Sequence, residues 1–218
     1  MSANRSVVAT WIKGWALARG VTAPVAIPGG FRVHVGWPEQ KERYVFPGMT
    51  AAFTNLGNII TEPWVFLKVC APPDHVSAVL PAHWEIQSPG YLMMKIGFVP
   101  EGDVPLARGY HLKTALQLPV PVVHIVTDSG DIAASGRIAL ADDAAIYDRI
   151  ITAPAHRRRG LATIVMKRLT AIACSHGITT GMLVATGEGR ALYETLGWKL
   201  LAPYTSAVIP GNGSLGAG

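Results

Sequence analysis

The chain has 218 residues, half of them apolar and only 15% charged, so it can bury a substantial core and is too apolar for a disordered chain. Its formal charge of +5 favours an anionic partner, but Arg157, Arg158 and Arg159 supply three of those charges and +2 remains without them; no broad nucleic-acid face is demanded, and RNA or DNA is not the expected partner. Cys70 and Cys174 show neither CxxC nor Cys/His spacing, which argues against a zinc site and for free thiols in a reducing compartment.

The N-terminal VVATWIKGWALARG is broken by Lys13 and is followed by no small-residue cleavage site. It reads as an amphipathic helix with Trp11 and Trp15 on one face, not as a signal peptide. Nowhere do about eighteen apolar residues run together, so the expectation is a soluble, cytoplasmic protein without membrane contact. After a Pro/Gly break at 21–30, FRVHVGW (31–37) alternates as a strand. MTAAFTNLGNII (49–60) reads as a helix, with Gly57 weakening its last turn. WVFLKVC (64–70) is a strand, and PPDHVSAVL a helix with Asp74 as N-cap. EIQS and GYLMMKIGF are strand-like on either side of Pro89 and Gly90. VPEGDVPLARG (99–109) is the expected internal boundary, separating residues 1–109 from 110–210.

Beyond it, VPVVHIVTD (120–128), IAASGRIALA (132–141) and IYDRIIT (146–152) form three strands joined by short turns, an antiparallel meander. A helix is expected to begin among the arginines of RRRGLATIVMKRLTAIACSHG, with Leu161, Ile164, Val165, Leu169, Ile172 and Ala173 at helical spacing and Gly177 closing it. ITTGMLVAT (178–186) is a strand, EGRALYETLG (188–197) a short helix, and WKLLAPYTSAVI an extended segment. The order is α/β (α+β): a mixed, mostly antiparallel sheet flanked by helices. The tail at 211–218 has nothing to bury and is expected to be flexible.

HRRRGLA (156–162) admits three readings: a nucleic-acid patch, a solvated helix end, or a phosphate cradle. The cradle is favoured because a helix N-terminus offers unpaired N–H groups with partial positive charge. Gly160 and Ala162 let a ligand approach them, and arginines add full charge. The stretch lacks both the Gly-Lys-Ser/Thr of a P-loop and the G-x-G-x-x-G of a dinucleotide turn.

Ile150-x-Thr152-x-Pro154-x-x-Arg157-x-x-Gly160-x-Ala162 resembles the acyl-CoA signature of the GNAT superfamily of N-acetyltransferases, R/Q-x-x-G-x-G/A after a strand. Ala191-Leu192-Tyr193-Glu194-x-Leu196-Gly197-Trp198 resembles that family's late segment, and the resemblance spans about 120–208. It implies the GNAT fold and acetyl-CoA as co-substrate, with no metal. It places the pantetheine arm on the backbone of Ile150, Ile151 and Thr152, and the pyrophosphate on Arg157, Arg158, Arg159, Gly160, Leu161 and Ala162. It makes Tyr193 the acid that protonates the leaving thiolate, beside the alternative of a tyrosine packed against Leu192 and Leu196. Thr186 stands where the family often has Asn, and Ile146 where many members carry a glutamate base. Asp148 is the nearest carboxylate, either the base or an exposed strand charge. The implied activity is acetyl transfer to a primary amine of a small molecule, then to protein amines or aminoacyl-tRNA. A non-catalytic acyl-CoA sensor is the alternative from another class, and a homodimer is allowed. Residues 31–98 are similar in order to a second GNAT portion without the R-x-x-G-x-A, which implies a half that has lost the cradle and shapes the acceptor pocket.

Overall fold

The computed structural model describes residues 3–99, 102 and 105–211. In chain order the elements are α1 (Arg5–Arg19), β1 (Val25–Ile27), β2 (Gly30–Trp37), β3 (Gln40–Phe46), α2 (Ala51–Ile59), β4 (Val65–Val69), α3 (Pro73–Ser77), β5 (Glu85–Ile86), β6 (Gly90–Ile96), β7 (Tyr110–Ala115), β8 (Val122–Thr127), β9 (Ile132–Ala141) and β10 (Ala144–Thr152). A 3-10 turn (Pro154–His156), α4 (Leu161–Ser175), β11 (Thr180–Ala185), α5 (Gly187–Thr195) and β12 (Lys199–Val208) follow. Strands and helices alternate as the sequence pattern requires, and the architecture is α/β with a mostly antiparallel sheet. Among the described residues no helix is long and apolar enough to cross a membrane.

The residues gather into two units. Unit 1 takes the chain up to Met93, Val184–Ala191 and the residues from Leu200 on; unit 2 takes Met94–Leu183 and Leu192–Lys199. The chain therefore passes from one unit to the other inside β6, and the described residues 99, 102 and 105–109 lie within unit 2.

In unit 1, β1, β2 and β3 are antiparallel neighbours, β4 pairs parallel with β3, and β12 pairs antiparallel with β4. A parallel neighbour needs a crossover, and α2 supplies it. Phe46, Phe53, Leu67, Val69, Val76 and Trp84 form the core. Trp11 and Trp15 of α1 are both buried, on the face that sequence spacing assigned them. A Cβ on Gly57 would run into the Leu80 side chain. That glycine is a packing requirement, and α2 continues past it to Ile59.

In unit 2, β7, β8, β9 and β10 form an antiparallel meander and β11 pairs parallel with β10. The crossover is α4, which packs across β8, β9 and β10 and buries Leu161, Val165, Leu169 and Ile172. Each unit thus contains antiparallel strands, a crossover helix and a parallel return strand.

Several elements depart from the sequence pattern. β1, β3 and β7 have no counterpart among the expected strands, and β1 falls inside the stretch read as a Pro/Gly break. In β3 the charges that hide the alternation are met across the ladder: Glu42 bonds Arg32 and His34 on β2, at 2.9 Å each. Asp74 is not the cap of α3. Pro72 holds that position without a side-chain bond, and Asp74 sits in the first turn. The expected tail motion at 212–218 falls outside the described residues.

Candidate active site

β10 and β11 run parallel over Ala144↔Thr180, Ala145↔Gly181 and Ile146↔Met182. β10 then continues for six residues, to Thr152, beyond that register. Its other edge is also interrupted. Asp148 pairs with Arg137 and Ile151 with Ser135, so Arg149 and Ile150 together face the single residue Gly136. This is a β-bulge, and Arg149 takes the left-handed conformation at φ 51° to make it. Gly136 is required opposite it: a Cβ there would lie 2.5 Å from Ile150 Cδ1 and 2.7 Å from Val165 Cγ1. Bulge and lost partner leave backbone of residues 149–152 outside a regular ladder on the β11 side, in the stretch that carries Ile150, Ile151 and Thr152. Ile151 is exposed, and the other two are half-buried.

The chain leaves β10 through the 3-10 turn and enters α4. The helix does not begin among the arginines: Gly160 is its N-cap and Leu161 its first residue. Pro154 starts the 3-10 turn, and two left-handed residues, Arg158 (φ 61°) and Gly160 (φ 73°), re-aim the chain after it. Such alternation turns successive N–H groups to one side, a concavity suited to an anion. The first intrahelical bond runs from Ile164 N to Gly160 O at 3.2 Å. The N–H groups of Leu161, Ala162 and Thr163 therefore have no carbonyl behind them within the helix. Gly160 gives no side-chain cap, and the first turn holds no acid. A capping side chain is worth about 1 kcal/mol, and this fifteen-residue helix forgoes it. A Cβ on Gly160 would meet open space, so its backbone conformation and the room above it are what distinguish the position.

The three arginines are not equivalent. Arg157 Nε donates back to Thr152 O at 3.4 Å, and Arg159 Nη1 donates to Tyr110 Oη at 3.0 Å. Tyr110 in turn shares a 2.8 Å hydrogen bond with His156 Nδ1. Arg158 is exposed and has no side-chain partner among the described residues. It is the one with a fully available guanidinium.

Tyr193, on α5, is buried and rests 6.2 Å, ring to ring, from Trp198, which also packs on Tyr147 and Phe98. Burial pushes its hydroxyl up to about 12. It therefore stays protonated at working pH, which suits a proton donor and excludes a base. Asp148 is 9% exposed, so it is not the exposed strand charge that sequence allowed. It stands immediately before the bulge, beside Arg137 in the β9 register. Thr186 Oγ1 accepts from Gly189 N at 3.1 Å and caps α5, within unit 1's share of the chain. Its oxygen accepts one bond at that helix start, and its hydroxyl proton remains able to donate. Among the described residues no group of three His, Cys, Asp or Glu could hold a metal ion.

Unit 1 offers the contrast. β3 and β4 pair at five positions, from Glu42↔Val65 to Phe46↔Val69, through the last residue of both strands. The helix that follows β3 is already capped, with Thr50 Oγ1 accepting from Phe53 N at 3.2 Å. Strands zipped to their ends and a capped helix leave neither gap nor cradle.

Residues 121–200 match the family model described as "Acetyltransferase (GNAT) domain". No curated protein matches the chain by sequence. Among solved structures, a GCN5-related N-acetyltransferase from Kribbella flavida superposes with TM-score 0.70 at 15% identity, over 97% of both chains. One from Sphaerobacter thermophilus gives 0.60 at 12%, over 96% of this chain and 95% of the other. A tandem GNAT protein from the clavulanic acid biosynthesis pathway gives 0.53 at 13%, over 68% of this chain and 65% of its own. At such identities the likeness is one of fold. Signature, fold and family model coincide on one stretch, residues 121–200, which match a GNAT acetyltransferase domain.

Proposed function

We propose that this protein is an N-acetyltransferase that moves an acetyl group from acetyl-CoA to a primary amine of a small molecule. One observation carries the reading: the released, bulged end of β10 leads directly into an uncapped helix N-terminus through a left-handed loop. A thioester-bearing arm could pair with residues 150–152 while its diphosphate meets the N–H groups of Leu161, Ala162 and Thr163, with Arg158 adding charge. Donors fixed on strand backbone suit the oxyanion that develops when an amine attacks a thioester, because they need no reorganisation. Tyr193, kept neutral by burial, gives its proton to the departing sulfur. Asp148, buried on β10, is the residue we assign as acceptor of the amine proton.

Unit 1, with its closed strands and capped helix, is the half we assign to the acceptor, and the protein is expected to act in the cytoplasm. The experiment is thiol release from acetyl-CoA across a panel of amines, with native chain, Tyr193→Phe and Asp148→Asn. Amine-dependent release that falls in both variants supports the reading. Tight acetyl-CoA binding without release for any amine replaces it with a sensor.

A further inference from the structure

Unit 1 buries a cluster of cations that the acyl-transfer reading does not use. Lys68 is the fourth of the five residues of β4, in an otherwise apolar strand, and is only 8% exposed. Its ammonium donates to Ser206 Oγ at 2.6 Å and lies 4.9 Å from the Phe66 ring centroid and 6.0 Å from that of Tyr204. An ammonium has three protons to donate, and aromatic faces satisfy a cation only in part. Arg43, 9% exposed, stacks 3.5 Å over the Trp15 ring and approaches Gln40 Oε1 at 3.5 Å. Arg19 lies 5.8 Å from the Trp15 ring and 6.0 Å from that of Trp37. Tyr204, 4% exposed, stands edge-on to Trp11, and its hydroxyl is buried with no hydrogen-bond partner among the described residues.

Burial pushes Lys68 well below the ordinary lysine range, and Arg43 and then Arg19 push it the same way. Two guanidiniums beside a buried ammonium increase the cost of its charge. A hydroxyl sealed from water without a partner adds another unmet demand. One kind of guest meets both demands: an oxygen-bearing anion accepts from the Lys68 ammonium and from the Tyr204 hydroxyl. Arg19, Gln40 and Trp37 are half-buried, so the cluster reaches solvent on their side.

We propose that Lys68, Tyr204 and Ser206, with Arg43 beside them, form a binding site for the oxyanion of a small ligand, a carboxylate or a phosphate monoester. This site is independent of the acetyl-CoA reading, and its test uses no turnover. The full chain is titrated separately with benzoate, inorganic phosphate and neutral benzamide at constant ionic strength, by calorimetry and by melting temperature. The expected result is that benzoate or phosphate binds and raises the melting temperature while benzamide does not; which of the two binds names the source of the oxyanion. Lys68→Met should weaken that binding by about tenfold to a hundredfold, the loss of one charge-assisted hydrogen bond. Tyr204→Phe, which removes only the unpartnered hydroxyl, should weaken it less and stands in if the first variant does not fold. Absence of binding by both anions, or affinity unchanged in these variants, overturns the site.

Discussion

Replacing Gly160 by alanine and by glutamate separates backbone strain from charge at the proposed diphosphate cradle. Gly160 sits at φ 73°, ψ 3° as the N-cap of α4. An L-residue there costs about 1–2 kcal/mol, and no clash adds to it because a Cβ meets nothing within 4 Å. For a chain of this size that cost is a fall of roughly 2–8 °C in melting temperature, the same for both variants. Binding should distinguish them. A glutamate carboxylate about 4 Å from a diphosphate bearing two charges adds roughly 2 kcal/mol of repulsion even at the dielectric of water, which is about thirtyfold in affinity. Equilibrium binding of acetyl-CoA by calorimetry, beside thermal melts of each variant, reads both quantities. Similar melting temperatures with Gly160→Glu binding at least about thirtyfold more weakly than Gly160→Ala is the expected outcome. Equal affinity in the two variants would refute the placement of a diphosphate at this helix start.

Other outcomes follow from the same geometry. Tyr193→Phe should lower kcat by about a hundredfold to ten-thousandfold with acetyl-CoA affinity intact. Because its hydroxyl is held up at about 12, the native pH–rate profile should show no alkaline limb from this group below about pH 11. Gly136→Ala should destabilise the chain by about 1–3 kcal/mol through overpacking, since its Cβ would press Ile150 Cδ1 and Val165 Cγ1 at 2.5 and 2.7 Å; thermal melts check this. Lys68→Met should be more stable than the native chain at neutral pH. The folded-state pKa of Lys68 lies below its ordinary 10.5, so between the two values the unfolded chain binds more protons and native stability rises with pH. The variant's advantage should therefore shrink as pH climbs toward 10.5, and denaturant titrations at several pH values give the slope.

Much of this arrangement is legible in the sequence, because it is written in periodicity and in short-range signals. The meander of β8, β9 and β10 shows as alternating runs between turns, and α4 as apolar residues at helical spacing ending at Gly177. Arg157-x-x-Gly160-x-Ala162 locates the helix start to within a few residues. Its interior geometry is not legible. Nothing in RRRG says that Arg158 and Gly160 are left-handed, or that Arg157 and Arg159 turn back to Thr152 and Tyr110, since those partners depend on tertiary placement. The bulge at Arg149 is equally silent, as its only trace is a glycine on the neighbouring strand, Gly136. β3 is hidden because Glu42 looks like a loop charge until its partners on β2 are known. Lys68 did leave a signal, a lone lysine inside WVFLKVC, but spacing alone cannot distinguish a solvated edge from a buried cation.

The most direct measurement follows the acetyl group itself. The full chain is incubated with isotopically labelled acetyl-CoA and a panel of small-molecule, peptide and aminoacyl amines, and products are read by mass spectrometry together with free CoA. Label on the nitrogen of a small-molecule amine, in equal amount to the CoA released and reduced in Gly160→Glu at limiting acetyl-CoA, is the predicted result. Saturable acetyl-CoA binding with no labelled amine of any class would contradict the transferase and leave an acyl-CoA-binding protein in its place.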